Sequence, residues 1–314
     1  MHRTLSAAGA FWLAAFTYFI WGFTFLASRI AQDYGTPFVL LFWRFALAFV
    51  LLNLLRLTGR FPVRLRGRRL WPVLLAGLFE PVLYFPCEQY GLRLTSTSFS
   101  GVMVALIPLC SLVYGAVFLH EKATWRQVVF SVLSVAGVIV LAVYATGIGA
   151  GSFLGFLILL GTVFAGAGYI VACRACSGSF TAFERTYITC GMGAAAFGVL
   201  SVLEHRYDLS AVVLPMTHAP FALAIVFLSV VASVLSYLAL NRALEVLPVA
   251  RTAALINFST VVSVLAGVLL LREPFGWVSA VASAAILVGI WGVQRFAAPT
   301  VPDTAESTEP LPPS

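Results

Sequence analysis

Charge is what this 314-residue sequence has least of: 10% of it is Asp, Glu, Lys or Arg, 61% is hydrophobic, and the mean hydropathy is +0.99. A soluble domain carries about a quarter of its residues charged, so the shortage excludes an ordinary globular fold and points to a polytopic membrane protein. Catalytic motifs are missing as well. His120-Glu121 does not continue to HExxH, no GxSxG or Walker sequence is present, and the four histidines at 2, 120, 205 and 218 are scattered. No enzyme, cofactor or metal site is expected. The five cysteines, at 87, 110, 173, 176 and 190, lie in or at the ends of apolar runs and read as free thiols. Cys173 and Cys176 form a CxxC, but without a second pair or a nearby histidine it does not make a metal or redox site. The first apolar run is too long for the core of a cleavable signal. Gly147, Gly149 and Gly151 have no strand before them, which excludes a nucleotide-binding loop.

What is present is a series of apolar runs. Ten spans are expected, at 10–29, 37–56, 71–92, 97–119, 124–145, 152–173, 182–203, 219–241, 248–271 and 275–296, each near the ~20 residues that cross a bilayer. The net charge of +7 sits between the runs rather than along one face, so it reads as a topology signal and not as a nucleic-acid surface. Five arginines in RFPVRLRGRR (60–69) mark a cytoplasmic loop, and placing it inside puts both termini inside. Only Arg29, Arg93, Arg206 and Arg272 then fall outside, with Arg44 left within a span. The expectation is a multi-pass protein of the cell inner (plasma) membrane. The tail 297–314, rich in Pro, Ser and Thr with acids and no bases, is expected to be disordered.

An internal repeat runs at a constant offset of 152 residues. Ser111, Gly115, Leu119, Glu121, Trp125, Val129, Ser131 and Gly137 recur as Ser263, Gly267, Leu271, Glu273, Trp277, Val281, Ser283 and Gly289. Two halves of five spans follow, 10–145 and 152–296. An odd number of spans turns the second copy over, so the fold class is an all-α integral membrane protein of ten helices in two inverted five-helix repeats.

The most polar span is the third, WPVLLAGLFEPVLYFPCEQYG, with Glu80, Glu88, Pro81 and Pro86. A carboxylate at membrane depth costs on the order of 2.5–3.5 kcal/mol, so neither glutamate should face lipid. Each proline leaves a carbonyl unpaired, tolerable only where the helix lines a cavity or packs on protein. Arg44 is expected at a similar depth and in an ion pair with one of the glutamates. That pair can serve packing alone. Alternatively Arg44 offers its fork to a substrate carboxylate while a glutamate meets an ammonium group. A glutamate left over could exchange a proton for substrate. Tyr84, Tyr114 and Tyr237, with Tyr90 and Trp43, are candidates to share the cavity as aromatic surface. Trp12, Trp71, Trp125, Trp277 and Trp291 read as an interfacial belt.

Spans eight and nine hold Ser229, Ser233, Ser236, Asn257, Ser259, Thr260 and Ser263 but no acid, so this half should contribute hydrogen bonds rather than charge, with Asn257 the candidate for substrate contact. Small-xxx-small spacing at Ser259, Ser263 and Gly267 predicts close helix packing. Glu121 and Glu273 sit at short turns and are expected to cap the helices that follow them.

Trp21-Gly22, Arg44-Phe45, Tyr90-Gly91-Leu92, Pro108 and the glutamates closing spans four and nine, set in two five-span halves, resemble the drug/metabolite transporter superfamily, EamA type. One departure is Thr260, which stands where the first half has Pro108. The resemblance implies a central cavity lined mainly by spans three, four, eight and nine, with alternating access. The expected function is therefore secondary transport, with export of a small amino-acid-like or amphipathic metabolite in the lead. Import or flipping of another metabolite, such as a vitamin or a lipid-linked sugar, is the alternative, followed by a non-transport subunit or membrane-embedded enzyme. The expected partners are the small-molecule substrate, the lipid bilayer and protons, with no nucleic acid; the chain is a monomer or a homodimer.

Overall fold

The computed structural model describes residues 6–107, 109–110, 113–114, 124–144, 150–176, 179–244 and 249–296, and all regular structure among them is helical. α1 (Ala7–Gly22) and α2 (Thr24–Gln32) make one span bent at Phe23, and α3 (Pro37–Leu57) returns. α4 (Trp71–Gly77) and α5 (Tyr84–Leu94) are joined by a wide turn at Leu78–Leu83, after which α6 (Thr97–Val104) begins the next span. α7 (Trp125–Tyr144), α8 (Ala150–Cys176) and α9 (Ala182–Glu204) follow. A short α10 (Leu209–Val213) precedes α11 (Ala219–Val226), which a second wide turn at Phe227–Leu235 links to α12 (Ser236–Leu244). α13 (Val249–Leu270) and α14 (Trp277–Arg295) complete the described chain.

Four of these stretches are long and apolar enough to cross a membrane, Ala8–Gln32, Pro37–Leu57, Ala182–Glu204 and Ala219–Leu240. Shorter apolar helices run over Phe153–Tyr169, Ser259–Leu270 and Trp277–Val293. The expectation of ten spans thus meets four full-length apolar helices and three shorter ones among the described residues. Local sequence explains where the helices start. Ser6 and Ser96 accept the amides of Gly9 and Phe99, and Thr181 with Glu184 forms a reciprocal capping box. Prolines occupy the first turn of α3, α4 and α11, where the missing amide costs nothing. The five belt tryptophans, at 12, 71, 125, 277 and 291, are all exposed.

Side-chain bonds knit the connections into two faces. On one, Arg68 meets Glu184 at 3.0 Å and donates to the Ser179 carbonyl, tying the arginine-rich loop to the start of α9. On the opposite face Arg29 donates to the Leu92 carbonyl, and Thr36 and Tyr90 both donate to Glu204. Glu273 lies on this second face and corrects an expectation. It does not cap α14, the helix that follows it; it accepts the amides of Thr97 and Ser98 at the start of α6, in the other half of the chain. The tight turn at 271–276 points its carboxylate back across the bundle rather than forward.

The repeat is visible in the packing. α7 lies along α14, and a methyl group on Gly137 would sit 2.8 Å from both the Ala282 carbonyl oxygen and Ile286 Cγ1. A methyl on Gly289 would sit 2.7 Å from the Phe130 carbonyl oxygen and 2.8 Å from Ser134 Cβ. Gly137 and Gly289, Phe130 and Ala282, and Ser134 and Ile286 are all pairs at the 152-residue offset, so each helix meets its counterpart through the same positions. Lipid gives helices no hydrophobic reason to associate, and absent side chains at such crossings let the backbones close.

Gly137→Ala and Gly289→Ala should therefore each destabilise the protein by a similar ~1–3 kcal/mol, read as lowered thermal unfolding midpoints of the purified protein. Gly276→Ala, with nothing within 4 Å of the added methyl, should leave the midpoint unchanged.

Candidate functional site

Proline disfavours helical geometry in the residue before it, and Glu80 accordingly leaves the helix at φ −140°, ψ 112°, with a cis peptide joining it to Pro81. The break turns the Glu80 carboxylate toward the other half of the protein, where it accepts a hydrogen bond of 2.5 Å from the Tyr237 hydroxyl. Tyr237 lies just beyond the second wide turn, its ring 5.2 Å from that of Trp21. Trp21 in turn donates its indole N–H to the Ala232 carbonyl within that turn.

Beside this contact is a cavity of about 20 Å³, room for one or two waters. Glu80, Tyr237, Tyr169, Thr186 and Thr189 supply its polar lining, and Phe45, Pro81, Phe85 and Cys190 the rest.

Arg44 sits next to it, only 3% exposed. Its Nε donates to Ser233 Oγ at 3.2 Å, and the guanidinium carbon lies 4.5 Å from the Phe85 ring centre and 5.6 Å from that of Phe45. Its Nη1 is buried without a hydrogen-bond partner. The expected ion pair is not formed: among the described residues the Lys or Arg side chain held in an ion pair is Arg68, with Glu184 at 3.0 Å. The reason is local to each glutamate. The break at Pro81 directs Glu80 to Tyr237, and Glu88 is held in a seam between α5 and α2. There the Gln89 amide donates to Glu88 at 3.0 Å and to Ser28 at 3.2 Å, while Gln32 donates to the Gln89 side chain at 2.9 Å.

The structure thus brings Glu80 and Tyr237 together in the lining of one cavity, while Arg44 and Glu88 both lie outside that lining, Arg44 behind the Phe85 ring that borders it. Tyr84 is buried beside Glu88, edge-on to Phe85 at 4.9 Å. Tyr114 packs on a separate cluster around Phe99, Met103 and Cys110. Trp43 and Tyr90 also lie elsewhere, bonded to the Val212 carbonyl and to Glu204. The Asn257 side chain lies outside the described residues. Sequence reading missed Tyr169, Thr186, Thr189 and Cys190. The signal available was the spacing of Thr186 and Thr189, three apart and so on one face of α9. The second half does contribute hydrogen bonds rather than charge, through Ser233 and Tyr237. These two are four residues apart in sequence and reach the two opposite charges of the first half.

The EamA-like transporter family matches this chain twice, over residues 8–143 and 153–295. An uncharacterized transporter of Bacillus subtilis, YcxC, is 31% identical over 285 residues, covering 90% of this chain and 91% of that protein. An uncharacterized transporter of Archaeoglobus fulgidus is 26% identical over 284 residues, covering 90% and 97% respectively. A chain of known crystal structure shares the fold with a TM-score of 0.60 at 20% identity, over 91% of this chain and 96% of that one. With an all-helical bundle, apolar spans and two matched repeats, this chain belongs to the EamA-like transporter family of the drug/metabolite transporter superfamily.

Proposed function

We propose that this protein is a secondary transporter that exports a small amino-acid-like or amphipathic metabolite across the inner membrane, by alternating access of two inverted five-span halves with both termini in the cytoplasm. The observation that carries the substrate class is the pair of cross-half hydrogen bonds, Ser233 to Arg44 and Tyr237 to Glu80, around one small cavity. A buried guanidinium with a free N–H and a half-buried carboxylate are complementary to a zwitterion. A cargo carboxylate takes the guanidinium fork, for which Ser233 fills only one donor. A cargo ammonium takes Glu80 from Tyr237, and the faces of Phe45, Phe85 and Tyr237 cover its apolar part. Because the Tyr237–Glu80 bond it displaces runs between the halves, binding loosens the span containing Tyr237 from Glu80. Outward direction follows the family resemblance. Glu80, with a single tyrosine hydroxyl on its carboxylate, is the group that would carry a proton in exchange.

The test is counterflow in vesicles containing only the purified full-length protein, without ATP, using radiolabelled neutral amino acids alongside the matching amine and the matching carboxylic acid. The zwitterions should move and the two one-ended analogues should not. Arg44→Ala should raise the half-saturating concentration about 10- to 100-fold, the worth of a charge-assisted hydrogen bond. Arg44→Lys should recover little of this, because an ammonium lacks the fork. Equal transport of all three ligand types, or an unaffected Arg44→Ala variant, would overturn the amino-acid reading in favour of another metabolite.

Proton exchange is tested separately. An imposed pH gradient should drive substrate accumulation in the wild type and in Glu88→Gln, and should fail to do so in Glu80→Gln. Accumulation insensitive to the gradient in all three would remove coupling through Glu80.

A further inference from the structure

The arginine-rich connection between α3 and α4 is fastened to the protein on one side and free on the other. Its apolar residues turn inward: the Phe61 ring stacks on Phe183 at 4.9 Å, Val63 packs on the main core, and Leu65 and Leu70 cover Val73 and Phe180. The Glu184 side chain, 2% exposed, fixes the same segment to the start of α9. It accepts the Arg64 amide at 2.9 Å and the Arg68 guanidinium at 3.0 Å. Half-buried and exposed positions alternate from Phe61 to Arg66, the pattern of an extended chain lying on a surface.

The outward side of this strap is basic. Arg60, Arg64, Arg66 and Arg69 are all exposed, and no ion pair among the described residues uses their side chains. What flanks the strap decides what can meet those charges. Leu57, the last residue of α3, is 81% exposed and Trp71, the first of α4, is 61% exposed, with Leu54 and Leu74 exposed about one turn further along the two helices. Exposed apolar side chains on spans meet acyl chains, and tryptophan settles at the level of the headgroups. Guanidinium groups set directly beyond these residues stand in the headgroup layer, where the nearest anions are the phosphates of the lipids themselves.

We propose that the strap is a binding site for anionic phospholipid, with headgroup phosphates on Arg60, Arg64, Arg66 and Arg69 and acyl chains along Leu54, Leu57 and Leu74. The guanidinium fork suits phosphate because it donates two parallel N–H groups to it. Lipid on the outer side of the strap holds it against α9, and Thr186, Thr189 and Cys190 of that helix line the cavity. The headgroup layer therefore steadies one wall of the cavity. The site lies apart from the cavity and rests on nothing said of the cargo, so it is tested without one.

The probes are radiolabelled phosphatidylglycerol and phosphatidylcholine with the same acyl chains, titrated onto purified full-length protein in a neutral detergent. Phosphatidylglycerol should half-saturate at a concentration at least about tenfold lower, since each arginine near anionic lipid is worth about fivefold. The preference should vanish at about 1 M salt, which screens charges beyond ~3 Å. Arg60→Gln, Arg64→Gln, Arg66→Gln and Arg69→Gln together should remove it while phosphatidylcholine binding persists, a sign that the variant is folded. Arg93→Gln, Arg206→Gln and Arg272→Gln together, on the opposite face, should leave it in place, which separates the strap from net charge. Phosphatidylglycerol should also raise the thermal unfolding midpoint of the parent and not that of the four-arginine variant. Equal affinity for the two lipids, a preference or a midpoint rise that survives the four strap substitutions, or a preference lost as fully in the opposite-face variant would overturn the site. Displacement of the lipid by inorganic phosphate at matched concentration and ionic strength would overturn it in favour of a soluble phosphate ligand.

Discussion

A guanidinium buried in a membrane bundle with no carboxylate in contact is the constraint on which the rest of this structure depends. An arginine at this depth is tolerated only where protein supplies its solvation. Here the supply is one serine hydroxyl and the faces of two phenylalanines, with one nitrogen left unpartnered. A cation over an aromatic face in a dry site gains about 2 kcal/mol, which offsets part of the burial cost and leaves the charge available. Both carboxylates near enough to neutralise Arg44 are instead committed elsewhere, Glu80 to Tyr237 and Glu88 to Gln89.

That commitment is made by irregular backbone. The wide turns at Leu78–Leu83 and Phe227–Leu235 fall at corresponding places in the two halves; the first lines the cavity with Glu80 and Pro81, and the second holds Arg44 through Ser233. Irregular helix at membrane depth is tolerated where it lines a polar interior or packs on protein, and both turns do so. The first aims Glu80 out of its own helix; the second presents Ser233, and Tyr237 follows just beyond it in α12. The polar centre is therefore shared between the halves, held by hydrogen bonds that cross from one to the other.

Around that centre the bundle is held by close packing rather than by charge. Gly137 and Gly289 let α7 and α14 meet backbone to backbone, and Gly101, Ser263 and Gly267 do the same for α6 and α13. Contacts of this kind carry no directional penalty when helices slide, whereas the carboxylate of Glu273 on the α6 amides is a discrete bond that is either made or broken.

The sequence by itself determined the helical membrane class, the repeat at 152 residues, the polar third span and the lack of acids in spans eight and nine. Each of these is a one-dimensional property: hydropathy, periodicity and composition survive without knowing which way a helix is turned. Only the tertiary structure decided which glutamate borders the cavity, that neither pairs with Arg44, and that Thr186 and Thr189 face the same space. Depth along a span can be counted from its ends, but the break at Pro81 resets the direction in which Glu80 points. The role of Glu273 was hidden for a related reason. A cap is read from neighbours in sequence, and the amides it holds lie 175 and 176 residues away, brought to it only when the halves pack.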